Sequence, residues 1–149
     1  MLQERMLIKG KFRAQLFDKD GRLKDERLIE NTVTALGDAH VADKMSDAGD
    51  AAMGWMAVGT GTPSATALGV ESDRNALTST TQGTAGDDND VIYVGTWGAG
   101  DATAALTEAG IFNLATLGGT MFVSATFAAI NKGASDTLVI TWTVTFGST

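Results

Sequence analysis

Residues Thr137 to Phe146 read TLVITWTVTF, and the fold of the chain turns on how they are read. Leu138, Ile140, Trp142, Val144 and Phe146 alternate with Thr137, Val139, Thr141, Thr143 and Thr145. Side chains of an extended chain alternate faces with period two, so this is a strand with one buried face and one hydroxyl-rich face. A helix is disfavoured, because β-branched and aromatic residues lose rotamer freedom against a helical turn. Just upstream, Asn131 to Asp136 (NKGASD) is a cluster of turn formers, and Thr120 to Ile130 is a second long strand candidate. The two strands and their turn predict a β-hairpin at the heart of a sheet.

Further upstream the same period recurs. Leu106 to Asn113 and Val91 to Trp97 read as strands, the second with Val91, Tyr93, Gly95 and Trp97 on one face. A weaker strand falls around Arg74 to Ser79, and Met53 to Val58 is a short apolar one that runs into the loop Gly59 to Ser64. At the N-terminal end, Ile8, Gly10, Phe12, Ala14 and Leu16 alternate with Lys9, Lys11, Arg13 and Gln15. Asp18-Lys19-Asp20-Gly21 is a tight turn, and Arg22 to Glu30 returns as a charged strand of the kind that protects a sheet edge. Between these β segments lies one helix, near residues 33–46. Asn31-Thr32 is its predicted start, and Val33, Leu36, Val41 and Met45 are its apolar stripe, weakened by Gly37. Short connections between about eight strands predict a mainly β fold, an antiparallel sandwich or barrel, in a single domain over 1–149.

Composition excludes several classes of function. The formal net charge is −7, and of the Lys and Arg residues only Arg74 and Lys132 follow Lys44. Nucleic acid and anionic membrane surfaces need clustered cations, so neither is an expected partner. There is no Cys, which removes disulfides and thiolate metal sites. Met1 to Lys11 lacks the long apolar core of a leader, and no run approaches the length of a membrane helix.

No motif carries catalytic chemistry. Gly59-Thr60-Gly61 is followed by Pro63 and has no basic residue near it, unlike a phosphate loop. His40 is the only histidine, and no Gly-x-Ser-x-Gly element accompanies it. Glu108 lies inside an apolar strand without a second carboxylate at a predictable distance, which suits a salt bridge or hydrogen-bonded turn better than glycoside hydrolysis. Asp87-Asp88-Asn89-Asp90 is an incomplete ligand set for a hard cation and reads as a solvated turn. Trp55, Trp97 and Trp142 each sit in a strand and read as core, although exposed they would suit a carbohydrate-binding module. No cofactor, metal or catalytic residue is therefore expected. The expected partner-binding residues are the hairpin cations Lys9, Lys11, Arg13, Arg22, Lys24 and Arg27, with the strand and hairpin of residues 6–30 acting as a docking arm.

Two groups of motifs carry a family resemblance. Phe12 to Val41 resembles a pattern at the start of small virion proteins of tailed bacteriophages: strand, Asp-x-Asp-Gly hairpin, charged strand, Asn-x-Val and helix. The second group is AVGTGT (Ala57 to Thr62), TALGVE (Thr66 to Glu71) and Arg74-x-x-Leu77, then VIYVGTW, LTEAGIFN, GGTMFV and INKGASDTLVITWTVTF. Together they resemble a phage structural family that includes capsid decoration (cement) proteins and tail-fibre-associated proteins. The resemblance implies a non-enzymatic oligomer, a homotrimer by analogy with decoration proteins. It would bind the major capsid protein on the outer surface of the head, with a tail or fibre adaptor as the alternative.

Overall fold

The computed structural model describes residues 6–148. In chain order the elements are β1 (Met6–Phe17), β2 (Leu23–Glu30), β3 (Thr32–Val33), α1 (Ala35–Ser46), β4 (Trp55–Gly59) and β5 (Glu71–Ala76). They continue as β6 (Ser79–Gln82), β7 (Asp90–Trp97), β8 (Ala104–Phe112), β9 (Met121–Lys132) and β10 (Thr137–Ser148). Two five-stranded antiparallel sheets form a sandwich, with strand orders β2-β1-β10-β7-β6 and β3-β9-β8-β4-β5.

The alternation in TLVITWTVTF sets the core. Leu138, Ile140, Trp142 and Val144 are fully buried, as β10 lies between β1 and β7. Phe12 and Leu16 from β1 and Trp97 from β7 line the same layer. From the other sheet, Phe127 stacks on Phe12 at 5.1 Å, and the Trp142 ring meets Phe12 edge-on at 4.9 Å. Such aromatic pairs add to the burial energy through ring geometry. The Trp142 indole N–H donates to Asn31 Oδ1 at 2.7 Å. That amide crosses directly over Gly10, where a Cβ would lie 1.4 Å from the oxygen, so only glycine leaves it room.

Three expectations need correction. First, Thr120–Ile130 and the stretch after Asp136 do not form a hairpin: β9 and β10 belong to opposite sheets. A strand with one apolar face satisfies its pattern whether its neighbour lies beside it or across the core. The NKGASD turn is an arch between the layers, tightened by Gly133 N–H donating to Asp136 Oδ2 at 2.8 Å. Second, the strand around Arg74 to Ser79 is really β5 and β6, in different sheets, which with the two-residue β3 raises the count to ten.

Third, the helix begins later and faces another way. Thr32–Val33 pair with Ser124 and Val123, and Thr34 is the N-cap, its Oγ1 accepting from Gly37 N–H at 2.8 Å. The buried helical residues are Gly37 and His40, whereas Leu36 is 37% and Met45 84% exposed. The reason is close approach: a Cβ on Gly37 would fall 2.3 Å from the Phe122 carbonyl oxygen, so the helix rests its glycine on β9. That contact outweighs the leucine stripe.

Candidate functional site

The expected partner-binding cations sit on β1, β2 and their turn. β1 is an internal strand, paired along its length with β10 and on its other side with β2, so residues 6–30 are built into the sandwich and do not project. The part of the N-terminal segment before residue 6 lies outside the described residues. Lys9, Lys11 and Arg13 are exposed on the outer face of the first sheet, directly across from Thr145, Thr143 and Thr141. At about 3.3 Å per residue, alternate positions stand roughly 7 Å apart, so the three form one row. Arg13 Nε meets Glu26 Oε1 at 3.1 Å, an exposed pair that adds little to stability.

The other three lie elsewhere. Arg22 is exposed at the end of the turn, where Asp18 Oδ1 accepts from its backbone N–H and from that of Asp20. Lys24 Nζ pairs with the buried Asp136 Oδ2 at 2.8 Å. That ammonium, followed by the Gly133 N–H, holds the Asp136 carboxyl below its ordinary range. Arg27 lies opposite Ala14, on the inward-facing side of β2. Its Nε and Nη2 donate to the carbonyls of Ala128 and Ala129 at 3.0 and 2.8 Å, and its Nη1 meets Asp25, whose carboxyl is lowered chiefly by that bond. The pairing of β9 with β8 is irregular just there, with a register shift between Leu106 and Glu108, and Arg27 satisfies carbonyls on the bulged strand. Lys24 and Arg27 therefore hold the sandwich together.

Glu108 is fully buried on β8. Its carboxylate accepts from the backbone N–H groups of Gly61 (3.0 Å), Gly69 (2.7 Å) and Val70 (2.8 Å). The neighbouring Thr107 hydroxyl donates to Gly61 O at 2.7 Å. The glycine-rich stretch after β4 thus forms a cradle of backbone donors, and its anion is this chain's own carboxylate. A Cβ on Gly59 would lie 2.5 Å from Glu108 Oε1. The expectation of a hydrogen-bonded turn for Glu108 holds in this form.

Arg74 is a structural anchor that no local sequence pattern marks. Its side chain is 6% exposed, pairs with Glu71 at 2.7 Å, and donates to the carbonyls of Leu114 and Thr116 at 2.9 and 2.7 Å. The guanidinium also lies 3.8 Å over the Phe112 ring. Together with Leu68 it covers a second apolar cluster of Ala57, Phe112 and Met121, against which Trp55 packs half-buried.

An apolar cleft of about 520 Å³ lies between α1 and the sandwich, lined by Val41, Met45, Met53, Tyr93, Phe122 and Phe146, with His40 and Lys44 at its wall. His40 is 6% exposed, and its Nδ1 has no hydrogen-bond partner; the nearest acid, Asp50 Oδ2, is 4.0 Å away. Burial, then the nearby Lys44 charge, pushes the imidazole below its ordinary value. Burial pushes the Tyr93 phenol up to about 12.

Trp97 and Trp142 are fully buried, so neither is available to stack on a sugar. Asp87 to Asp90 form a turn, closed by Asp90 N–H on Asp87 O at 3.0 Å. Among the described residues, no group of three or more His, Cys, Asp or Glu is placed to hold a metal ion, and no helix is long and apolar enough to cross a membrane. No family model matches this chain, nor does any curated protein or solved structure.

Proposed function

We propose that this protein is a non-enzymatic structural component of a tailed-bacteriophage virion, a capsid decoration protein that binds the major capsid protein on the outside of the head. The observation that carries the reading is the outer face of the first sheet. The row Lys9, Lys11 and Arg13 stands beside the row Thr145, Thr143 and Thr141, and none of these side chains is buried. In a chain of net charge −7 this row is the natural place for an acidic partner to attach. The motif resemblance supplies the virion context. Glu108 and Arg74, which resemble functional groups in isolation, are engaged in holding loops.

Deleting residues 1–11 would remove half of an internal strand, so charge reversal is the cleaner test. Lys9→Glu, Lys11→Glu and Arg13→Glu together should leave the fold intact and abolish co-sedimentation with decoration-free capsids. Wild-type binding should weaken as salt rises, because exposed charges are screened beyond about 8 Å at physiological ionic strength. Undiminished binding by the triple variant would overturn this attaching face. A label found on tails of purified virions would replace the head assignment with a tail or fibre adaptor.

A further inference from the structure

We propose that the cleft beneath α1 is a binding site for an uncharged aromatic molecule carrying one hydroxyl group, a phenol in chemical class, whose O–H donates to His40 Nδ1. The site goes beyond the virion reading and does not rest on it.

The walls select the body of the ligand. α1 rests on β9 through Gly37 in its first turn, and Val41 and Met45 in the following turns line the cleft from the helix side. The opposite side is aromatic. The Phe122 ring lies near-parallel to that of Phe146 at 6.4 Å and meets Tyr93 edge-on at 6.5 Å. Met45 and Met53 add thioethers, unbranched groups that adapt to a ring and make favourable contacts at its edge. A volume of about 520 Å³ falls in the usual range of small-molecule sites, roughly 300–1,000 Å³.

The polar groups select the head. The ionisable residues of the lining are Lys44, Tyr93 and His40. Lys44 already donates to Asp50 O and stands 3.5 Å from Asp43 Oδ1, so its charge is answered within the chain. Burial pushes the Tyr93 phenol up to about 12, which keeps it un-ionised at neutral pH. His40 is different. It is 6% exposed, and its Nδ1 is buried without a hydrogen-bond partner. Asp50 Oδ2, the nearest acid, stands at 4.0 Å, beyond hydrogen-bond range. Burial, then the Lys44 charge, lowers the imidazole pKa, so the ring is neutral at pH 7. With its proton on Nε2, a neutral imidazole offers Nδ1 as an acceptor. A buried acceptor without a donor costs free energy, and a ligand that brings the donor recovers it. A charged ligand would find no free countercharge here, and a plain hydrocarbon would leave the nitrogen unmet. A hydroxyl on an aromatic ring suits both the walls and the head.

The test is a titration of the ¹⁵N-labelled full chain with 4-propylphenol, followed by amide spectra and by the imidazole nitrogens of His40. Amide shifts should saturate and stay within α1 and around Ala52, Tyr93, Phe122 and Phe146. A ligand of this size should bind with a Kd of about 1 mM or tighter. The Nδ1 resonance should move upfield as it accepts the hydroxyl proton. His40→Leu should weaken 4-propylphenol about tenfold, the worth of one hydrogen bond to a buried group. Propylbenzene, which has the same ring and chain without the hydroxyl, should bind wild type and His40→Leu alike. Ala52→Trp, at an exposed position of the lining, should block both ligands.

The absence of saturable shifts in wild type overturns the site. So does an Nδ1 resonance that stays in place while the amides move, or equal affinity for 4-propylphenol in wild type and His40→Leu. If His40→Leu fails to fold, the Nδ1 resonance of wild type decides alone. Cleft amides that shift with protein concentration and ignore both ligands would assign the cleft to a second copy of the chain and remove the ligand.

Discussion

Two irregular segments are laid against the sandwich, and they are attached by opposite means. The loop between β4 and β5 lies on the second sheet and is held by polar bonds: three backbone N–H groups converge on Glu108, and Thr60 and Val70 close its neck through a backbone bond of 2.9 Å. α1 and the segment after it rest on Gly37 against Phe122, and they leave an apolar cleft and an imidazole nitrogen without a partner. A buried carboxyl group is tolerable when both of its oxygens are hydrogen-bonded, and the first segment meets that condition. The second segment is incomplete by the same standard. One region has its polar groups met within the chain, and the other keeps a buried nitrogen without a partner.

The largest effect should come from the finished side. Glu108→Ala would strand three backbone donors, each costing about 1–3 kcal/mol where water cannot replace the acceptor. We expect a loss of about 3 kcal/mol in urea unfolding, and roughly half of it in Glu108→Gln, which keeps one acceptor oxygen. A midpoint near that of wild type would mean that Leu68 packing holds the loop, and the contrast between the two segments would fail.

Arg74→Ala should come next, at about 2 kcal/mol, because Glu71 and the carbonyls of Leu114 and Thr116 lose their shared donor. Hydrogen exchange should accelerate across residues 113–119 and leave β10 unchanged. Uniform acceleration across both sheets would show that Arg74 supports the whole core instead of one loop.

On the unfinished side the sign should reverse. His40→Leu removes a buried nitrogen that has no partner, and it should raise stability by about 0.5–1 kcal/mol in a thermal or urea melt. A clear loss would show that this nitrogen is hydrogen-bonded after all.

The smallest effect is in pH. The folded-state pKa of His40 lies below its ordinary value of 6.5, so the unfolded chain binds the proton more readily. This group should leave stability unchanged above about pH 7 and reduce it as pH falls through 6.5 toward the folded-state value. Comparing wild type with His40→Leu over that window isolates the term. Parallel curves for the two proteins would show that His40 is solvated in the folded state.

Much of this architecture is legible in the sequence. Leu138, Ile140, Trp142 and Val144 point inward as alternation requires, and so do Phe12, Ala14 and Leu16. The turn at Gly21, with φ +80, and the charged edge strand β2 also follow from local chemistry. The candidate site was legible only in part. Lys9, Lys11 and Arg13 share a face because alternate residues must, whereas Lys24 and Arg27 belong to bonds with Asp136 and with Ala128 and Ala129, far along the chain. The cleft had no sequence signal, since its lining comes from α1, β7, β9, β10 and the segment before β4.

The sequence by itself determined which segments are extended and which face of each is apolar, because side-chain alternation is a property of a few neighbouring residues. Only the tertiary structure decided which strands lie side by side and which face each other across the core. An apolar face is buried equally well either way, so pattern alone cannot distinguish the β9–β10 arch from a hairpin. The same holds for Glu108: its burial follows from the strand around it, but the donors that make burial tolerable arrive from Gly61, Gly69 and Val70, and only the folded chain brings them there.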